Sequence, residues 1–169
     1  MKRIFAVTAV VVILDQVSKR LMWEAFRQSG SVDLLDGFLR ITLSKNSGAV
    51  MGILSGSRPI LLTVTIISIG ALILFAYKMR YAPFLKRLCL GLILGGAFGN
   101  LIDRIATGEV IDFIDMGIGK YRWPTYNVAD IAVTVGAVIL IAGFMRAADG
   151  DGPAFPQAEA RDGRGTHSD

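Results

Sequence analysis

The 169 residues hold one cysteine, Cys89, and one histidine, His167. That scarcity removes most of the side-chain chemistry by which small hydrolases work. A Ser-His or Cys-His dyad, a HExxH zinc site and a multi-His metal centre all need donors that this sequence lacks. No metal or other cofactor is expected. Cys89 sits between Leu88 and Leu90 in an apolar run, which reads as a small packing residue rather than a nucleophile. His167 lies in a stretch rich in Gly, Asp, Arg and Ala, with nothing to bury, so residues 147–169 are expected to form a disordered tail. Charge of one sign is also scarce: 18 Lys and Arg against 14 Asp and Glu leave a formal +4. The basic residues are scattered over loops and helix ends and form no aromatic-interleaved stripe, which argues against a nucleic-acid partner.

What the sequence has is apolar length. Hydrophobic residues make up 53% of it and the mean hydropathy is +0.53, too apolar for an ordinary soluble domain. Four runs, Ile4 to Trp23, Pro59 to Tyr77, Leu85 to Ile102 and Val128 to Met145, approach the ~20 residues that cross a ~30 Å hydrocarbon core. The expectation is one membrane domain, residues 1–146, with four transmembrane helices. Lys2 and Arg3 precede the first run, but it continues into Asp15 and Lys19 without a small-x-small cleavage site, so it reads as a retained helix rather than a cleaved signal. Lys78, Arg80, Lys86 and Arg87 crowd the short loop between the second and third runs, whereas Arg27, Arg40, Lys45 and Arg58 are spread over a much longer one. By the positive-inside rule the short loop and both termini face the cytoplasm.

Ionisable groups inside a span are costly, so their depth is informative. From an inner face near Ile4, a rise of ~1.5 Å per residue carries Asp15 to about 16 Å and Lys19 to about 22 Å. The third run brings Asn100 to a similar depth with Asp103 and Arg104 just beyond, and the fourth begins with Asn127 and Asp130. Three spans thus deliver polar residues to one outer level. Asp15 and Lys19 are spaced i,i+4, Asn100 is i,i+3 and i,i+4 to Asp103 and Arg104, and Asn127 is i,i+3 to Asp130, so each set shares a helix face. Plainer readings stand beside the functional one. Asp15 and Lys19 also read as an intrahelical pair that eases insertion, Asn127 as the N-cap of the fourth helix, and Asp103 and Arg104 as the end of the third. Gly91, Gly95 and Gly99 read as a groove for close helix packing.

The outer loops carry β-prone pieces at Phe38 to Leu43 and Val110 to Ile114, which predict a small sheet on the outer face. The segment Ser18 to Gln28 is amphipathic and reads as an extension of the first helix or as an interfacial one. Asp112, ending a short apolar strand, and Asp130, in the first turn of a span, can face each other across an interfacial site. Adjacent carboxylates do not both ionise easily, so such a pair shares a proton. One member can then take a proton from water while the other polarises a scissile carbonyl.

At these residues the sequence resembles the lipoprotein signal peptidases (signal peptidase II). The matching stretches are Asp15-Gln16-Val17-Ser18-Lys19, Asn46-Ser47-Gly48-Ala49, Gly99-Asn100-Leu101-Ile102-Asp103-Arg104, Val110-Ile111-Asp112-Phe113 and Tyr126-Asn127-Val128-Ala129-Asp130, in the family's order. Val50 and Met51 stand where the family usually has a small residue and an aromatic, and Tyr126 replaces a common Phe. The resemblance implies that Asp112 and Asp130 are catalytic, that Asn46, Gly48, Asn100, Arg104 and Asn127 line the site, and that Asp15, Lys19 and Asp103 support it. It further implies a monomeric four-helix bundle with an extracytoplasmic β-cradle, lying in the bacterial inner membrane with its active site at the periplasmic face. The implied substrate is a diacylglyceryl-modified prolipoprotein cut before its lipidated cysteine. Membrane lipid and globomycin-type inhibitors are the other implied partners.

Two rival readings are a small four-span proton-coupled transporter, which would place its acids near mid-membrane, and a non-catalytic assembly factor. Topology bears on all three. In a Cys89→Ala background, Ser57→Cys and Thr107→Cys should react in whole cells with a thiol reagent that cannot cross the inner membrane. Ala82→Cys should stay unlabelled until the membrane is opened. The reverse pattern would put the aspartates on the cytoplasmic side.

Overall fold

The structure, a computed structural model, describes residues 1–28, 30–48 and 57–148. Helix α1 (Lys2–Phe26) leads into strands β1 (Val32–Leu34) and β2 (Leu39–Asn46). Helices α2 (Arg58–Lys78) and α3 (Phe84–Ala106) follow, then β3 (Val110–Ile118), β4 (Tyr121–Arg122) and α4 (Val128–Ala148). Each expected span falls inside a helix, and the amphipathic segment after Ser18 continues α1 as far as Phe26. Ala49, Val50 and Met51, and the expected tail from residue 149 onward, lie outside the described residues.

Among the described residues, α2, α3 and α4 are long and apolar enough to cross a membrane. The charges of Asp15, Lys19 and Arg20 between Ile4 and Leu21 keep α1 from that class on composition. The outward faces of α2 (Ile60, Val64, Ile67, Leu74) and α4 (Val135, Val138, Ile141) are apolar and exposed. Such faces suit contact with hydrocarbon rather than water.

Helix α3 is the centre of the bundle and packs on α1, α2 and α4. Its small residues make this possible. A Cβ on Gly95 would stand 2.5 Å from the Cβ of Val11 in α1, and one on Gly96 would run into the carbonyl oxygen of Ala129 in α4. Gly91 and Gly99 repeat the close approach one turn either side, against Val7 and Asp15. The predicted glycine groove is therefore present, and it seats α1. Helix α2 is pinned at the other end by Ala76, which is buried with Ile4, Leu90 and Leu94.

The four described strands form one antiparallel sheet in the order β1-β2-β3-β4. It contacts α1 and α3 at the end of the bundle where α4 begins. The turn between β1 and β2 holds Leu35, Asp36 and Gly37 at φ 50, 54 and 82°, a left-handed run that only the glycine adopts freely. Arg122 braces it, donating from Nη1 to the Gly37 carbonyl at 2.6 Å and from Nε to Asp115 at 3.0 Å. Strand β3 runs on to Ile118, so Asp112 is its third residue and not its end. The extra length is paired by Leu39 and Arg40 of β2, opposite Met116 and Asp115, and by β4.

The packing predicts the effect of filling the groove. Gly95→Val should lower stability by about 1–3 kcal/mol, the usual range for overpacking a tight contact. Gly143→Ala, where an added Cβ meets nothing within 4 Å, should stay within about 0.5 kcal/mol. Thermal unfolding in detergent measures both, and equal shifts would show that the α1 to α3 contact does not require glycine.

Candidate active site

Strand β3 and helix α4 each present a carboxylate to one cavity of about 320 Å³, lined also by Asn46, Asn100, Arg104 and Tyr126. Asp112 is 1% exposed. Its Oδ2 accepts a hydrogen bond from Asn46 Nδ2 at 3.1 Å and its Oδ1 one from Asn127 Nδ2 at 2.7 Å. Asp130 accepts from Asn100 Nδ2 at 2.8 Å through Oδ1, and from the Asn127 backbone N–H at 3.2 Å through Oδ2.

Asn127 belongs to both halves. Its Oδ1 accepts from the Asp130 backbone N–H at 3.0 Å, so Asn127 and Asp130 cap the start of α4 reciprocally, as a capping box does. Its Nδ2, fully buried, meanwhile reaches Asp112. The N-cap and site readings of Asn127 are therefore both realised by one side chain.

Asn46 reaches Asp112 because of an irregularity in the sheet. Ile41 pairs with Ile114, but Ser44 already pairs with Asp112, so β2 carries one extra residue, a β-bulge. Since successive side chains alternate faces, unbroken pairing would put Leu43 and Lys45 on the Asp112 face. The bulge substitutes Ser44 and Asn46. Gly48 then orients the amide, its backbone N–H donating to Asn46 Oδ1 at 3.0 Å so that Nδ2 is left for Asp112.

A second layer holds these donors. Lys19, 2% exposed, directs Nζ to Asp15 at 2.8 Å, to Asp103 at 2.8 Å and to Asn100 Oδ1 at 3.0 Å. All three ammonium protons are thereby used, and the Asn100 amide is turned so that Nδ2 faces Asp130. Asp15, with no exposure, accepts through Oδ1 from the Ala129 N–H at 2.9 Å, tying α1 to the first turn of α4. Asp103 accepts from the Ile111 N–H at 3.3 Å, beside Asp112. Gln16, which the spacing did not single out, donates to Asp103 at 2.9 Å, Gly99 O at 3.2 Å and Asp15 at 3.2 Å. The signal available for it was its polarity inside an apolar run. Arg104 lines the cavity, donates to the Gly48 carbonyl at 3.4 Å, and lies within electrostatic reach of Asp130, Asp112 and Asp103.

Every residue expected at the site is thus in this one network. Burial pushes the Asp112 carboxyl up from its ordinary 3.8 to about 6; the Asn46 bond opposes this, and the nearby Asp130 charge adds to it. No group of three or more His, Cys, Asp or Glu side chains suited to a metal ion occurs among the described residues.

The profile of the signal peptidase (SPase) II family matches residues 7–146. The chain belongs to the signal peptidase II family. Among relatives named lipoprotein signal peptidase, that of Syntrophus aciditrophicus is 40% identical over 145 residues, covering 82% of this chain and 89% of its own. That of Halothermothrix orenii is 39% identical over 138 residues, covering 82% and 92%. A Staphylococcus aureus relative is 38% identical over 140 residues, covering 83% and 86%. A solved bacterial membrane enzyme shares the fold with a TM-score of 0.80 at 34% identity, over 93% of this chain and 96% of that one. A second scores 0.76 at 36% identity, over 86% and 94%. Signal peptidase II membership makes this chain a protease, and the transporter reading finds no support.

In this signal peptidase II chain the raised Asp112 pKa carries a stability signature. Between pH 3.8 and about 6 the folded state binds more protons than the unfolded one, so ionisation of Asp112 lowers stability as pH rises through that window. Asn in its place has no such charge. The thermal midpoint of Asp112→Asn relative to wild type should therefore move upward from pH ~4 to pH ~8, with most of the change between pH ~4 and pH ~6. A difference independent of pH would mean that Asp112 does not ionise in that window.

Proposed function

We propose that this chain is an aspartic endopeptidase that removes the signal peptide from diacylglyceryl-modified prolipoproteins, cutting N-terminal to the lipidated cysteine. The observation that carries this reading is the convergence of Asp112 and Asp130, from a strand and a helix start, on one cavity, with the buried Asn127 behind its wall hydrogen-bonded to both. The names of the matched relatives supply the substrate class.

In the proposed reaction the two carboxylates share one proton. The ionised member takes a proton from a water molecule held between them, and the resulting hydroxide attacks the carbonyl carbon of the residue before the cysteine. The protonated member gives its proton to the carbonyl oxygen. Collapse of the tetrahedral intermediate breaks the C–N bond, and a proton passes to the departing amine of the cysteine. Arg104, at the cavity wall, favours negative charge as it develops. Asn46, Asn100 and Asn127 hold the carboxylates in place and leave the facing lone pairs for water and substrate.

We also propose that α1 crosses the membrane, giving four spans. Its charges Asp15 and Lys19 are buried against α3, while Phe5, Val10, Ile13, Leu14, Val17 and Leu21 are exposed. The sheet would then lie at the periplasmic face with both termini in the cytoplasm. The enzyme acts as a monomer, acyl chains of substrate and bilayer lie along the helices, and globomycin-type inhibitors occupy the catalytic cavity.

Asp112→Asn and Asp130→Asn should each reduce cleavage of a diacylated lipobox peptide by about 10³-fold, within the 10²–10⁴ that a positioned acid or base supplies. Both variants should still fold, as judged by thermal unfolding in detergent. Turnover within tenfold of wild type in either folded variant would remove the aspartic mechanism.

A further inference from the structure

Tyr126 stands where three hollows meet. It lines the catalytic cavity with Pro124, Asp130 and Thr134. It lines a hollow of about 370 Å³ along α4 with Asp130, Ile131, Thr134 and Val135. It also lines one of about 300 Å³ beside the sheet with Phe38, Met116, Trp123 and Pro124. Asp130 and Thr134 join the first hollow to the second, and Pro124 joins the first to the third. The tyrosine is fixed on every side. Its N–H donates to Ile114 O at 3.0 Å, its carbonyl accepts from Ile114 at 2.9 Å and Phe113 at 3.1 Å, and its hydroxyl bonds to Met116 Sδ. It is a partition rather than a mobile flap.

The two side hollows lead in different directions. The one along α4 lies in the first two turns of a helix apolar enough to span a membrane. The other lies on the sheet side, before that helix begins, with Trp123 59% and Phe38 40% exposed at its rim. A prolipoprotein cut beside a diacylated cysteine has three arms at the scissile bond. The signal segment and the acyl chains belong in hydrocarbon, and only the chain that follows the cysteine must leave it. The sheet-side hollow is the branch that leads out.

We infer that the hollow bounded by Phe38, Met116, Trp123, Pro124 and Tyr126 binds the first residues of the mature lipoprotein, C-terminal to the lipidated cysteine, with Tyr126 separating them from the lipid side. The inference rests on the peptidase reading above. Its continuity with the catalytic cavity through Pro124 and Tyr126 is what assigns the occupant. At ~30 Å³ per water the hollow has room for about ten heavy atoms, which suits side chains of an extended segment and excludes a folded domain. The backbone N–H of Trp123 donates to Met116 O at 2.8 Å, which fixes the main chain that carries the indole at the rim, and tryptophan is among the residues that contribute most to binding a partner chain.

Two measurements test it. Diacylated lipobox peptides carry a benzophenone photoprobe either at the second residue after the cysteine or in the middle of the signal segment, and are bound to Asp112→Asn enzyme in phosphatidylethanolamine and phosphatidylglycerol vesicles. The downstream probe should label Phe38 or the stretch from Met116 to Tyr126, and the upstream probe should label helices only. In parallel, Met116→Trp, which fills the hollow, should lower kcat/KM for a peptide extending several residues past the cysteine about tenfold more than for one ending a single residue past it. Trp123→Ala, which removes the rim, should shift the same ratio in the same direction and serves if Met116→Trp fails to fold. Downstream labelling confined to residues other than Phe38 and the stretch from Met116 to Tyr126, or an equal fall for both peptide lengths, overturns the inference. So does an unchanged ratio in folded Trp123→Ala, which would leave the aromatic rim without a part in holding the peptide. If wild-type enzyme cleaves neither peptide, the peptidase reading itself fails, before any labelling is read.

Discussion

A lysine ammonium almost sealed from water organises this molecule. Lys19 of α1 donates to the Asp15 carboxylate of its own helix and to the Asp103 carboxylate and Asn100 amide oxygen of α3. Removing one partner of such a buried set typically destabilises by about 3–5 kcal/mol, because the remaining charge keeps its desolvation penalty without its compensation. Each acceptor carries the constraint further. Asp15 reaches the first turn of α4, Asp103 reaches the backbone of β3, and Asn100 reaches Asp130. The positions of the two carboxylates at the cavity are thereby referred to one ammonium group. Glycines at the α1 to α3 contact let the helices come close enough for this to happen.

The two aspartates are held differently. Asp112 is surrounded by side-chain amides in a buried strand position, and ionising it is costly. Asp130 sits in the first turn of α4, where it accepts one side-chain amide and one backbone N–H. A pair of acids in unequal surroundings can divide proton donation from proton acceptance.

Much of this was legible in the sequence, and the reasons are specific. Apolar length fixed the helices to within a turn, and the i,i+4 spacing of Asp15 and Lys19 put both on the face that meets α3. The choice between an ion pair and a site dissolved, because the pair is intrahelical and also bonded to Asp103 and Asn100. Asp103 and Arg104 close α3 and also enter the network. Other features left no trace. Strands β1 and β4 have three and two residues, too few for an alternation to be seen. The bond from the Ala129 N–H to Asp15 depends on how α1 and α4 are rotated about α3, which periodicity within either helix does not encode.

The bulge in β2 makes strand register itself part of the chemistry. Pairing β2 regularly with β3 beyond Ile41, with no residue removed, would exchange the faces of everything beyond. Lys45 would then replace Asn46 beside Asp112. A neutral donor would become a cation, and the nearby positive charge would hold Asp112 ionised instead of letting it keep a proton. A slip in pairing at residues that touch neither carboxylate would thus undo the site while leaving every one of its side chains in the sequence. Homologous hairpins are therefore to be compared by register before they are compared by residue.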